Sequence, residues 1–433
     1  MKNAILSFLA IGTMLSVSGQ TYLSERLGSD TDLNVEPDFG LCLMGGAGET
    51  DEAMTWFLEK ANGGDVLVIR ADGIGGYNDY LFSELGVTLN SVETISFESA
   101  EAATDPYVLQ RLNEAEAIWM AGGNQGTYTS YWKDTEVMDA LNNLINVRGG
   151  ALGGISAGMA ILAEAYFPAT LGSLSSEDVL EDPLDNSVLI GYNDFIDAPF
   201  LENTITETHF NDPDRIRYGR IMGFMARLKS DQSLRPKAIA SNEFCSVTVN
   251  EDGIARAWGE YDPDEPLFDD DFLYFLQENV FDQGGPEILE QDVPLTWIRD
   301  EEAVKVYKVP GTVTGENFFD LNTWETGEGG TWENWWVDNG ELFMASGDPL
   351  SLTERDSEEI SIYPNPTSDF LNLPLDLTTR DRYEIFDGSG RLSLSGSFND
   401  GSRIGVANLP EGFYVVRIMN DDRVLTSRFL KIR

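Results

Sequence analysis

Histidine is almost absent from this chain: among 433 residues there is one, His209. A single imidazole excludes mechanisms that need two, such as an HExxH site or a His-rich zinc centre. Cysteine is nearly as scarce. Cys42 and Cys245 are too few for CxxC metal sites or a disulfide scaffold. Both lie in apolar strand-like runs, LCLMGG and FCSVTV, and two buried free thiols or one long-range disulfide are equally open. Positive charge is in short supply too. The 28 Lys and Arg face 74 Asp and Glu, a formal net charge of −46, which repels nucleic acid over most of the surface. After the N-terminus no run approaches the roughly 18 apolar residues a membrane span needs, so a soluble mature protein is expected. No metal site and no cofactor is expected. What the chain does have is apolar bulk: 42% hydrophobic and 11% aromatic residues suffice for a real core despite the charge.

The N-terminus, MKNAILSFLAIGTMLSVSGQ, has one basic residue, a short apolar core and small residues near Gly19. This pattern predicts a secretory signal peptide over residues 1–19. The last 75 or so residues change character. Short alternating runs (ISIYPNP, FLNLPL, RYEIFDGSGR, GFYVVRIMN, RVLTSRFLKIR) separated by Asp-Gly and Ser-Gly turns predict a small β-sandwich over 358–433. The ordered motifs SIYPNPTSDFLNL, EIFDGSGR, LPEGFYVVRI and RFLKIR resemble the C-terminal sorting domain of type IX secretion cargo. That resemblance implies a partnership with the type IX secretion machinery, and a location outside the cell or on its outer surface.

From about Gly40 strand-like and helix-like runs alternate. LCLMGGAG, DVLVIRAD, SVETISF, AIWMAGG and GALGGIS read as strands; TDEAMTWFLEKA, DPYVLQRLNEA and VMDALNNLINVRG read as helices. This rhythm predicts an α/β domain with a parallel sheet covered on both faces, and ligands in such sheets collect at the C-terminal strand ends. Residues 311–357 are acidic, Gly-rich and aromatic. Trp324, Trp332, Trp335 and Trp336 are candidates for a sugar-stacking platform, although a hairpin flap packed on the main domain is the favoured reading. DPDEPLFDDD at 262–271 lacks EF-hand spacing and reads as a solvated acidic loop.

The predicted strand ends carry the chemistry. Gly154-Ile155-Ser156-Ala157-Gly158 is a GxSxG pentapeptide between a strand-like and a helix-like run, the context of a sharp elbow that projects a serine hydroxyl. The helix N-terminus would place positive potential where an oxyanion forms. Serine needs a base, and His209, after the alternating stretch TITET, falls at the same predicted edge. Backbone N–H groups at Gly123 and Asn124, with that of Ala157, are candidates for an oxyanion hole, and Gln125 for orienting a substrate. Arg215, Arg217, Arg220 and Arg227 cluster in this acidic chain. Of these Arg215 is the candidate clamp for a substrate carboxylate.

GGNQ, then GISAGMA, then ETHFNDPDRIRYGR resembles, in that order, the serine peptidase family of cyanophycinase and peptidase E. The similarity runs from about Leu41 to Gly259. It implies a flavodoxin-like three-layer sandwich with a parallel sheet, related to class I glutamine amidotransferases, over a domain of residues 36–310. It further implies Ser156 as nucleophile, His209 as base, Gln125 in the Gly-Gly-x-Gln turn, and Arg215 after the His-Phe pair. Glu207 and Thr208 stand where cyanophycinases commonly have Asp and Gln, which alters the residues next to the substrate pocket. An acid between Ser and His is expected, and Glu177 is chosen over Asp178. The implied activity is hydrolysis of aspartyl-linked peptides, cyanophycin first, to β-Asp-Arg dipeptides. An aspartyl dipeptidase of the peptidase E type, or a non-catalytic binding module on this scaffold, are the alternatives. A homodimer stays open.

Overall fold

The computed structural model describes residues 20–71, 73–212, 217–279, 284–347, 362–373, 382–387, 392–398, 403–419 and 424–432. The predicted signal peptide, and Arg215 with it, lie outside the described residues. The chain divides into a unit ending at Ser346 and a second from Gly347.

The first unit opens with β1 (Tyr22–Gly28), β2 (Gly40–Met44), β3 (Asp65–Arg70), β4 (Ser91–Phe97), β5 (Ala117–Met120) and β6 (Ala151–Ile155). Between them lie α1 (Asp51–Glu59), α2 (Pro106–Glu114), α3 (Gln125–Trp132) and α4 (Glu136–Asn143). The helices start where local chemistry dictates. Asp105 caps α2 by accepting from the Tyr107 N–H, with Pro106 at the first helical position, and Thr135 caps α4 through Val137. Further on come α5 (Ala157–Ala160), β7 (Ala165–Tyr166), α6 (Ser176–Glu181), β8 (Gly191–Tyr192), β9 (Thr204–Glu207), α7 (Tyr218–Gln232), β10 (Lys237–Ser241), β11 (Ser246–Val249) and β12 (Ile254–Trp258). The unit closes with β13 (Phe272–Glu278), β14 (Val304–Pro310), β15 (Phe318–Asp320), β16 (Gly327–Glu328), β17 (Thr331–Asp338) and β18 (Glu341–Ser346).

Two sheets form. A ten-stranded sheet runs β1-β4-β3-β5-β6-β2-β11-β12-β15-β16, and an eight-stranded sheet runs β18-β17-β14-β13-β10-β9-β7-β8. The β4-β3-β5-β6-β2 core of the first is parallel, with antiparallel additions at both sides. The expected α/β sandwich is therefore present, and a second sheet extends it. On one face of the larger sheet Met44, Val66, Val68, Ala117 and Trp119 pack with Met54, Phe57 and Leu58 of α1. On the other, Leu41, Leu67, Ile118 and Leu152 share a core with α2 and α4, and further along with Ile239, Leu273 and Phe275 of the second sheet. The period-2 alternation of β10 explains the last contact. Ile239 faces the first sheet, while Ala238 and Ala240 pack on the other side with Met222 and Met225 of α7.

This unit is larger than the expected 36–310. β1 precedes residue 36 and pairs with β4 from Tyr22 to Gly28. The 311–357 segment, read as an extension or linker, contributes β15 and β16 to one sheet and β17 and β18 to the other. Its tryptophans form no shared platform. Trp324 and Trp335 are buried, packed respectively on Phe319 and on the Tyr218–Tyr274 pair, while Trp336 stacks on Phe343. Strand alternation accounts for Trp335, which faces the interior while its neighbour Trp336 is only half-buried, and Trp324 is buried from the turn after β15. The second unit is the expected small β-fold. Its four-stranded sheet runs Leu392–Ser397, Arg382–Asp387, Gly412–Met419, Val424–Lys431, and Phe370–Asn372 pairs with Arg403–Gly405. Ile385, Val416, Ile418, Leu371 and Ile404 join in one core.

Candidate active site

The C-terminal ends of β2, β5 and β6 in one sheet and of β9 and β10 in the other converge on one rim. Backbone hydrogen bonds lock them. His209 N–H donates to Gly45 O at 2.9 Å, Ser156 N–H to Met44 O at 3.0 Å, Phe244 N–H to Gly46 O at 3.0 Å, and Gly45 N–H to Cys245 O at 3.0 Å. The chain passes from the second sheet to the first between β10 and β11, and Glu243 sits on that crossing.

Ser156 follows β6 with φ 52° and ψ −113°, and α5 begins at the next residue. This is a strained turn for a residue with a Cβ, and its neighbours show what holds it. A Cβ at Gly154 would lie 2.6 Å from the Gly158 carbonyl carbon, and one at Gly158 would lie 2.8 Å from that of Met120. Glycine at both positions lets strand and helix meet without a side chain between them. The elbow expected from the sequence is thus formed.

Ser156 Oγ lies 2.8 Å from His209 Nε2, and His209 Nδ1 lies 2.5 Å from Glu243 Oε1. A carboxylate at Nδ1 holds the ring proton there and leaves Nε2 to accept from the serine hydroxyl. His209 itself has φ +48°, and its imidazole lies across Gly46. A Cβ on Gly46 would come within 2.8 Å of Nδ1 and closer still to Nε2 and Cε1.

The carboxylate expected at Glu177 is elsewhere. Glu177 sits in the first turn of α6 and is exposed, where it serves the helix N-terminus rather than the imidazole. The residue that meets Nδ1, Glu243, follows the histidine in sequence instead of preceding it. Its signal was available: SNEF closes the alternating run KAIAS, so it is an acid at a strand end on the shared edge.

Glu207 is likewise not in a substrate pocket. It is buried beneath the rim. Arg220 Nε donates to its Oε2 at 2.8 Å and the same guanidinium also reaches Oε1, while Arg217 Nη1 donates to Thr208 O at 2.7 Å. Burial alone would raise the Glu207 pKa, but Arg220 and Arg217 outweigh it and hold the carboxylate below its ordinary range. Two of the clustered arginines are therefore structural partners of a buried acid. Gln125 opens α3 and its Nε2 donates to Phe167 O at 2.8 Å, so its amide N–H is turned to the protein. Asn124 caps that helix through Thr127. Gly122, directly before Gly123 and Asn124, borders the same opening as Ser156, and Ala157 follows the serine as the first residue of α5.

Ser156 and His209 open into a cleft of about 880 Å³. Its far wall is acidic: Glu25, Glu49, Asp51, Asp79 and Glu84 line it, against Arg70 as the one guanidinium among the lining residues. Tyr77 donates to Glu49 at 2.5 Å and Tyr80 to Asp51 at 2.8 Å. Burial first, and then these carboxylates, keep both phenols protonated well above their usual range. No group of acidic, His or Cys side chains suited to a metal ion occurs among the described residues. Nor is any helix among them long and apolar enough to cross a membrane.

A serine, an imidazole and a carboxylate in hydrogen-bonded series at the C-terminal edge of a parallel sheet form an arrangement able to carry acyl transfer. Comparison with known proteins narrows that chemistry. Residues 76–177 match the model of peptidase family S51, which takes in the Gly-Gly-Asn-Gln turn and Ser156 but not His209 or Glu243. Residues 361–432 match the secretion system C-terminal sorting domain. No curated protein matches the chain. Similar solved structures include a peptidase from an acI-B1 Actinobacterium, 16% identical over 52% of this chain and 89% of that one, TM-score 0.36. Another is a putative peptidase E protein from Listeria monocytogenes EGD-e, 17% identical over 51% of this chain and 98% of that one, TM-score 0.33. The shared features are thus those of a peptidase S51 domain, the family of peptidase E and cyanophycinase, within residues 76–177, and of a C-terminal sorting domain over residues 361–432. That domain directs type IX secretion to the cell surface or the extracellular space.

Proposed function

We propose that the chain is a serine-type peptidase acting on aspartyl-linked, cation-bearing peptides, with cyanophycin as the leading substrate. The observation that carries this reading is the unbroken hydrogen-bonded series from Ser156 Oγ through His209 to Glu243. In it, Ser156 attacks an amide carbonyl as its proton passes to His209 Nε2, and Glu243 stabilises the imidazolium that results. His209 then protonates the leaving amine. Water, deprotonated by the same imidazole, hydrolyses the acyl-enzyme and restores the serine. The Ala157 N–H at the start of α5, with those of Gly123 and Asn124, is assigned to the developing oxyanion.

The acidic wall of the cleft supports a cationic substrate. Five carboxylates against one guanidinium make a poor home for a second acid and a good one for arginine side chains. Cyanophycin presents such side chains on aspartyl units and would yield β-Asp-Arg dipeptides. Incubating the mature protein with cyanophycin and analysing products by mass tests this directly. Dipeptides from the wild type and none from Ser156→Ala are expected. Cleavage only of short α-linked Asp peptides would turn the reading to a peptidase E-like aspartyl dipeptidase. Failure of a fluorophosphonate or small acylating reagent to modify Ser156 in folded protein would turn it to a binding module.

A further inference from the structure

The acidic segment 262–271 has no part in the mechanism above, yet its end reaches the catalytic relay. Glu243 lies on a short turn between two sheets, and nothing in a turn by itself fixes a carboxylate to the tolerance that proton transfer needs. Four hydrogen bonds supply the fixing. The Glu243 N–H donates to Asn211 Oδ1 at 2.9 Å. Asn211 Nδ2 in turn donates to Asp270 Oδ2 at 2.6 Å. Beside it, Asn242 Nδ2 donates to Asp270 O at 2.5 Å and Asn242 N–H to Phe272 O at 3.1 Å. Asn211 stands two residues after His209 on the same turn. One amide group therefore ties the acid-bearing turn to the base-bearing turn, and Asp270 orients that amide.

We infer that Asn211 is a positioning residue for Glu243, oriented by Asp270 at the end of the acidic segment. The inference rests on the proposed role of Glu243. The chemistry of the amide makes it specific. Its carbonyl oxygen must face the Glu243 N–H, and only then does its NH2 face Asp270. An aspartate at position 211 would keep the acceptor but set two carboxylates against each other. Changing Asp270 to asparagine would then restore the pair with donor and acceptor exchanged.

The test is a double-mutant cycle on the full mature chain, with melting temperature recorded for each variant. The readouts are the rate of Ser156 acylation by a fluorophosphonate and kcat and KM on cyanophycin or an Asp-containing peptide. Asn211→Asp is expected to lower acylation and kcat about tenfold or more, with KM changed less than kcat, because a displacement of around 1 Å at a catalytic group costs up to about 100-fold. Asp270→Asn alone, which keeps an acceptor for Asn211, is expected to stay within about threefold of wild type. The N211D/D270N double variant is expected to recover most of the loss, a rescue that general destabilisation would not give. If N211D acts like wild type, or if the double variant is no better than N211D while both remain folded, the inference is overturned. Should N211D not fold, Asn211→Ser, which keeps a hydroxyl acceptor, and Asn211→Ala stand in its place: Ala is expected to lose the kcat that Ser retains, and equal rates overturn the inference. Undiminished turnover by Ser156→Ala or Glu243→Gln would instead overturn the catalytic reading beneath it.

Discussion

Replacing Gly46 by alanine is the sharpest perturbation the site offers, because it adds one methyl group and removes nothing. Gly46 has φ +130°, a conformation L-residues rarely adopt, and its Cβ would overlap the imidazole of His209, at 2.8 Å from Nδ1 and nearer still to two other ring atoms. Carbon and ring atoms need roughly 3.5 Å, so the ring or the loop must yield by about an ångström. His209 cannot simply retreat. Its backbone N–H is bound to Gly45 O and the residue is already at φ +48°. Loss of a positioned general base costs about 10²–10⁴-fold in rate, and a displacement of this size about 10²-fold, so acylation of Ser156 is expected to fall about 100-fold or more. Stability is expected to fall by a few kcal/mol at most, from the unfavourable φ and the overlap. The assay is the fluorophosphonate labelling rate at Ser156, read by intact mass, beside a thermal melt. A folded Gly46→Ala protein that labels within threefold of wild type would refute the claim that the imidazole acts from its observed place.

Glu243→Gln is expected to reduce turnover about 10³–10⁴-fold, the scale seen when the acid of a serine triad becomes an amide, whereas Glu177→Gln on α6 should leave kcat/KM within about twofold. Parallel steady-state kinetics on the two variants check this. Asp271 is pushed up to about 6 by burial, with Asp270 and Glu260 adding to the shift. A carboxyl raised in the folded state stabilises below its unfolded value near 4 and loses that contribution as pH rises through about 6. Asp271→Asn, which keeps an acceptor for the Glu260 N–H, should therefore melt higher than wild type at pH 7–8 and show no such gain at pH 4. Cys42 and Cys245 are free and buried, and burial raises both thiols. A thiol-reactive dye should find neither in the native protein and both after denaturation without reductant; one disulfide's worth of missing thiol would contradict the fold.

The parallel core was legible because its strands are continuous apolar runs. DVLVIR and SVETISF are buried along nearly their whole length, and the helices between them show one buried face each. The elbow at Ser156 was legible for the same reason, as glycines at 154 and 158 have a local steric meaning. The second sheet was not. Its strands come from β7 near residue 165 and from β18 near residue 346, and no local pattern says that so distant a set will pair. The misplacement of the acid has the same origin. Glu243 meets His209 across a gap of 34 residues, through a contact between sheets that periodicity does not encode, whereas the acids between Ser156 and His209 on α6 face solvent. Glu207 misled in another way. A carboxylate two positions before a candidate base invites a substrate role, and only the positions of Arg217 and Arg220 reveal it as a buried ion-pair centre.

Ser156 rides on one sheet and His209 on another, and Glu243 stands on the strip of chain that joins them, so in the proposed mechanism nucleophile, base and acid come from three different supports. Proton movement therefore reports on the seam: a slip of a fraction of an ångström between the two layers disconnects the chemistry while leaving each layer's own hydrogen bonding intact. Heating should accordingly extinguish turnover several degrees before circular dichroism registers any loss of strand or helix.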